Sequence, residues 1–161
     1  MNALAKPHHL DIGIGGVHVR LRTDSTDFIA LIADRFRGFT SHVANPDHVF
    51  DVDIVPVSYG LDESLDGITT EVSVLREGHL WRLLCGDFDA EWAPRTRHGH
   101  VRLHPSPYSL DSVLRILHTV MLAEQGGMLM HASSVVLDGR TYLFTGVSGA
   151  GKTTISRLAP D

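Results

Sequence analysis

Residues 146–153 read Gly146-Val147-Ser148-Gly149-Ala150-Gly151-Lys152-Thr153 and satisfy G-x-x-x-x-G-K-[ST] at every fixed position. Glycines let a backbone turn at little steric cost and approach a ligand closely. Successive N–H groups in such a turn point inward and make a concave anion site. A helix beginning there adds unpaired N–H groups and the positive end of its dipole. Lys152 brings a mobile charge for β- and γ-phosphates, and Thr153 brings a hydroxyl for Mg²⁺. The expected cofactors are ATP and Mg²⁺, with GTP left open. The expected nucleotide-binding residues run from Gly146 through Thr154, and Thr153 is the expected metal ligand.

The neighbouring residues agree with this reading. Met128 to Leu137 and Thr141 to Thr145 are apolar, β-branched-rich runs joined by Asp138-Gly139, a tight-hairpin signal. The second run feeds straight into Gly146, and a helix is expected to begin near Gly151. Strand, glycine-rich loop and helix is the order a phosphate loop requires. Only Thr154 to Asp161 follow Thr153.

Met130-His131-Ala132-Ser133-Ser134-Val135-Val136-Leu137-Asp138-Gly139, followed by Gly146 to Thr154, resembles the HPr kinase/phosphorylase family. It is most similar to the HPr kinase-related proteins encoded beside small peptide-modification operons. There a histidine begins a strand hairpin that runs into the phosphate loop, and the histidine and the loop lysine both belong to the active site. His131 and Lys152 match those positions, 21 residues apart. The resemblance thus implies catalytic roles for His131 and Lys152, and transfer of a γ-phosphate to a serine hydroxyl on a protein or peptide. It also implies a nucleotide domain like that of ATP-dependent phosphoenolpyruvate carboxykinase. The match covers residues 128 to about 158; upstream, Asp34-Arg35-Phe36-Arg37-Gly38-Phe39 is merely compatible with it. The aspartate that takes the hydroxyl proton in the family, and a further acidic metal ligand, would both lie downstream of Asp161. A fragment of a longer kinase is therefore expected, rather than a truncated inactive relative.

Working back towards the N-terminus, Ser106-Pro107 opens a helix with an apolar stripe of Leu110, Val113, Leu114, Leu117, Val120 and Met121, ended by Gly126-Gly127. Five strand-like runs precede it: Phe50 to Val57, Ile68 to Leu75, His79 to Leu84, Asp87 to Trp92, and His100 to His104. Glu77-Gly78 and Gly86-Asp87 separate three of them as hairpin turns would, and the set reads as an antiparallel meander. Earlier still, Ser25 caps a short helix reaching Arg37, with Phe28, Leu31, Ile32 and Phe36 on one face and Gly38 at its end. Residues 10–22 alternate apolar and polar, with glycines marking a turn or bulge. The expected class is α/β: an α+β N-terminal part with the meander, then the start of a P-loop nucleotide domain. The expected division is 1–106 for the first part and 107–161 for the linking helix, hairpin and loop.

Hydrophobic residues are 43% and charged residues 20% of the 161, which predicts a packed core. A net charge of -5 argues against a nucleic-acid role resting on a basic surface. Arg95, Arg97 and Arg102 cluster, but Asp87, Asp89 and Glu91 lie close by. No apolar run approaches the ~20 residues of a membrane span, and the N-terminus lacks a signal peptide's apolar core. The cytoplasm is the expected location, with neither nucleic acid nor membrane as partner. The expected partners are a nucleotide and a serine-containing protein or peptide. A homo-oligomer is among the allowed states, because an uncovered apolar hairpin invites association.

Other side chains offer alternatives. His98, His100 and His104 share one face of a strand, where a metal can bind; an exposed polar face is the simpler expectation. His8-His9 reads as a floppy terminus. Trp81, Trp92 and Phe88 read as core rather than as a ligand platform. Cys85, the single cysteine, has no basic partner in sequence that would make it a nucleophile. The loop also resembles that of adenylylsulfate kinases, though theirs follows the first strand of the domain. A transporter-type ATPase and a catalytically inactive nucleotide-binding or peptide-recognition module are the remaining alternatives.

Overall fold

The computed structural model describes residues 6–55 and 71–159. It divides into two units, one ending at Gly127 and the other beginning at Met128.

In the first unit, β1 (His8–Ile14) and β2 (Val17–Thr23) form an antiparallel hairpin turned by Gly15-Gly16. The histidines expected in a floppy terminus are part of it, since His8 pairs with Thr23 and His9 with Arg22. Helix α1 (Thr26–Arg35) follows, and the Ser25 hydroxyl accepts from the Phe28 N–H at 3.1 Å. Only Phe28 and Ile32 of its apolar face are buried, Phe36 packs against the core as the C-cap, and Leu31 faces outward.

Two-residue β3 (Thr40–Ser41) borders β1. Beyond it come β4 (His48–Ile54), β5 (Ser73–Glu77), β6 (Leu80–Cys85), β7 (Phe88–Ala93) and β8 (His98–Leu103). They join one mixed eight-stranded sheet in the order β3-β1-β2-β4-β8-β7-β6-β5.

Here the expected meander is corrected. Strands β5 to β8 are antiparallel neighbours, but β4 lies between β2 and β8 and is parallel to both. Its outward carboxylates meet cations from both sides and from upstream. Asp51 accepts two hydrogen bonds from Arg22 at 2.8 and 2.9 Å, and His98 lies 3.4 Å away. Asp53 pairs with Lys6 and with His100, the latter at 2.6 Å. Burial works against the ionised form of Asp53, yet these hydrogen bonds hold its pKa below the ordinary value. The parts of the expected strands at 56–57 and 68–70 lie outside the described residues.

The inner face of this sheet carries Val17, Val19, Leu21, Phe50, Val52, Phe88, Ala90, Trp92, Val101 and Leu103, all buried. Helix α2 (Pro107–Glu124) adds Leu110, Val113, Leu114, Leu117 and Met121 to the same core. Its start follows the sequence: Ser106 accepts from the Tyr108 N–H, and Pro107 occupies the first turn. By packing, this helix belongs to the first unit, so the division falls after Gly127 and not ahead of Pro107. The outer face of the sheet is charged. Asp11, with a side chain 2% exposed, accepts from Arg20 at 2.7 and 2.8 Å and from the Val43 N–H. The Arg20 hydrogen bonds hold this carboxyl below its usual range.

The second unit holds β9 (Ala132–Leu137), β10 (Arg140–Thr145) and α3 (Lys152–Leu158). Asp138 and Gly139 turn the hairpin with φ of 51° and 72°, both in the left-handed region that a tight hairpin turn uses. Residues Met128 to His131 precede β9 as irregular chain, where the sequence predicts strand. No described residue of this unit is buried. Among the described residues, no helix is long and apolar enough to cross a membrane.

Candidate functional site

The two strands of the hairpin differ in what they deliver. Residue pairs Ser133–Phe144, Val135–Tyr142 and Leu137–Arg140 stand on one face, and α3 lies on that face. Val135, Leu137, Tyr142 and Phe144 with Ile155 and Leu158 line an apolar cavity of about 400 Å³. At the other end of the strands, the Ala132–Thr145 pair is the last before the chain leaves β10 into Gly146.

Residues 146–151 form the connection. Gly149 and Gly151 adopt φ of 83° and 82°, which a side chain would strain. A Cβ built on either meets no atom within 4 Å, so the space beside both is open. Within the loop the Ala150 N–H donates to the Val147 carbonyl at 3.2 Å. Gly151 is the N-cap of α3 and contributes no side-chain bond. The Ile155 N–H donates to the Gly151 carbonyl at 3.0 Å, closing the first turn.

Lys152 is the first residue of α3, and its side chain folds back over the loop. Its Nζ donates to the carbonyls of Gly146 and Val147, each at 2.9 Å. These two oxygens are neutral, so neither is a counter-ion to the lysine. A polyanion placed there gains a charge-assisted contact. Val147, Ser148 and Ala150 are exposed, as are Thr153 and Thr154. Thr153 is thus a surface residue directly after Lys152. Among the described residues, no group of three or more His, Cys, Asp or Glu side chains is arranged to hold a metal ion by itself.

His131 is exposed, just outside β9, and makes no hydrogen bond or ion pair with a described residue. The structure thus brings Lys152 onto the loop, while no hydrogen bond or ion pair between described residues joins His131 to it. One side chain that the sequence did not single out does touch the site. The Ser133 hydroxyl donates to the Lys152 carbonyl at 2.7 Å. Its signal in the sequence is slight: a hydroxyl at a position whose strand neighbours on the same face, Val135 and Leu137, are hydrocarbon.

The remaining candidates lie in the first unit. His98 and His100 are exposed on β8, with Arg22, Asp51 and Asp53 as partners from neighbouring strands. Trp92 and Phe88 are fully buried and Trp81 packs against the same core. Burial and a hydrogen bond with Asp87 push the Cys85 thiol up, away from the thiolate a nucleophile needs. Asp161 lies outside the described residues.

Comparison with protein-family models, with curated proteins and with solved structures finds no match for this chain.

Proposed function

We propose that residues 146–154 are the phosphate-binding loop of an ATP-dependent serine/threonine kinase acting on a protein or peptide, of the HPr kinase-like type. The observation that carries this reading is the position of Lys152, whose ammonium lies against two carbonyls of the loop. With it go the left-handed Gly149 and Gly151 and the open space beside them. A chance glycine-rich turn has no reason to combine these features with a strand before and a helix after.

In this proposal Gly146, Gly149 and Gly151 shape the cradle, and the exposed backbone of Val147 to Ala150 faces the phosphates. Lys152 neutralises phosphate charge and Thr153 offers its hydroxyl to Mg²⁺. ATP supplies the phosphoryl group for transfer to a serine hydroxyl. His131 enters on the resemblance alone. The large sheet unit preceding the loop separates this reading from a small-molecule kinase of the adenylylsulfate type.

The test is ATP binding with Mg²⁺, measured for wild type and Lys152→Ala. Loss of a charged contact predicts at least about tenfold weaker binding in the variant. Equal affinity removes the phosphate-loop assignment. Transfer of label from γ-labelled ATP to serine peptides then separates a kinase from a binding module.

A further inference from the structure

We infer that Ser133 is a positioning residue for Lys152: its hydroxyl sets the first turn of α3 so that the lysine lies along the loop. The inference rests on the phosphate-binding reading above. Ser133 stands on the α3-facing side of β9, one pair from the Ala132–Thr145 pair where the loop departs. Its Oγ donates to the Lys152 carbonyl at 2.7 Å, a bond spanning 19 residues of chain.

That bond matters because little else holds the start of this helix. Its N-cap Gly151 provides no side-chain hydrogen bond, and none of its residues is buried. A seven-residue helix is too short to be stable on propensity alone. The serine hydroxyl ties its first carbonyl to the hairpin that also feeds the loop. Lys152 is then held at both ends, its backbone by Ser133 and its ammonium by Gly146 and Val147. A lysine held in this way loses less freedom when a polyphosphate binds.

The experiment titrates the 161-residue chain with inorganic tripolyphosphate, which engages a phosphate grip without base or sugar. Ser133→Ala is expected to weaken binding about fivefold, equivalent to one hydrogen bond. Ser133→Thr keeps the hydroxyl on a residue suited to a strand and is expected to restore wild-type affinity. In a Lys152→Ala background, Ser133→Ala is expected to add no further loss. The same loss in both backgrounds would make Ser133 a general support of the fold and overturn the inference. So would full affinity in Ser133→Ala beside a weakened Lys152→Ala. Unchanged affinity in Lys152→Ala alone instead removes the loop reading itself. Should Ser133→Ala not fold, Ser133→Cys keeps the volume with only a weak donor, and the fivefold loss is expected there; full affinity overturns the inference.

Discussion

His118 on α2 is 1% exposed, and its Nδ1 lies 2.8 Å from the Leu114 carbonyl while Nε2 is buried with no hydrogen-bond partner among the described residues. Burial pushes its pKa down, and it does the same to His48, whose Nδ1 accepts from the Trp92 indole at 3.3 Å. Folding therefore favours the neutral form of both, whereas an unfolded chain protonates them near the ordinary value of 6.5. The stability they contribute is full above that value and falls as pH drops below it, because the unfolded state binds more protons. Urea unfolding across about pH 7.5 to 5.5 is expected to show this decline, and His118→Phe to make it shallower. An identical slope in the variant would show that His118 takes up its proton without opposing the fold. The histidine itself was plain in the sequence. Its burial was not, since position 118 lies beside the apolar stripe rather than in it.

At the level of elements, strand β4 depends on a close approach at Gly99. A Cβ there would collide with the Phe50 ring and stand 2.7 Å from the Glu91 carbonyl oxygen. Gly99 faces the core on β8, opposite Phe50 on β4 and Trp92 on β7. The missing side chain makes room for the Phe50 ring between two strands of different sequence origin. Gly99→Ala is expected to cost about 2 kcal/mol of stability, measured by the shift in urea midpoint. An unchanged midpoint would mean that the Phe50 ring relocates freely. Local signals did locate most elements: the caps Ser25 and Ser106, the stop at Gly126, and the Asp138-Gly139 turn are all used. They erred at Met128 to His131, where apolar composition suggested strand but no strand among the described residues pairs with these residues.

Across the molecule, the buried core formed by the described residues runs from Ile12 to Leu122. From Met128 onward every described residue is at least partly exposed, including Val136, Leu143 and Leu158, each more than half exposed. Amide exchange is expected to report this difference. The amides of Leu21, Phe50, Val52 and Val101 should exchange at least about a hundredfold more slowly than those of Val135 and Tyr142. Comparable protection in the two units would show that the hairpin is covered in solution. Its open apolar surface is the kind that seeks a partner, so concentration dependence of that protection is a natural companion measurement.

The sequence by itself determined the local features: the helix caps, the hairpin turns, and a loop whose glycines and Lys152 carry their chemistry within eight residues. Such features rest on interactions between near neighbours, and near neighbours are what a sequence displays. Only the tertiary structure decided that β4 runs parallel between β2 and β8, that His118 is buried, and that Ser133 reaches Lys152. Those outcomes rest on contacts distant in the chain, 19 residues apart for Ser133 with Lys152, 47 for His100 with Asp53 and 49 for Gly99 with Phe50. Many pairings at that range satisfy the same alternation of apolar and polar residues. The choice among them falls to ion pairs and close packing that exist only once the sheet is assembled.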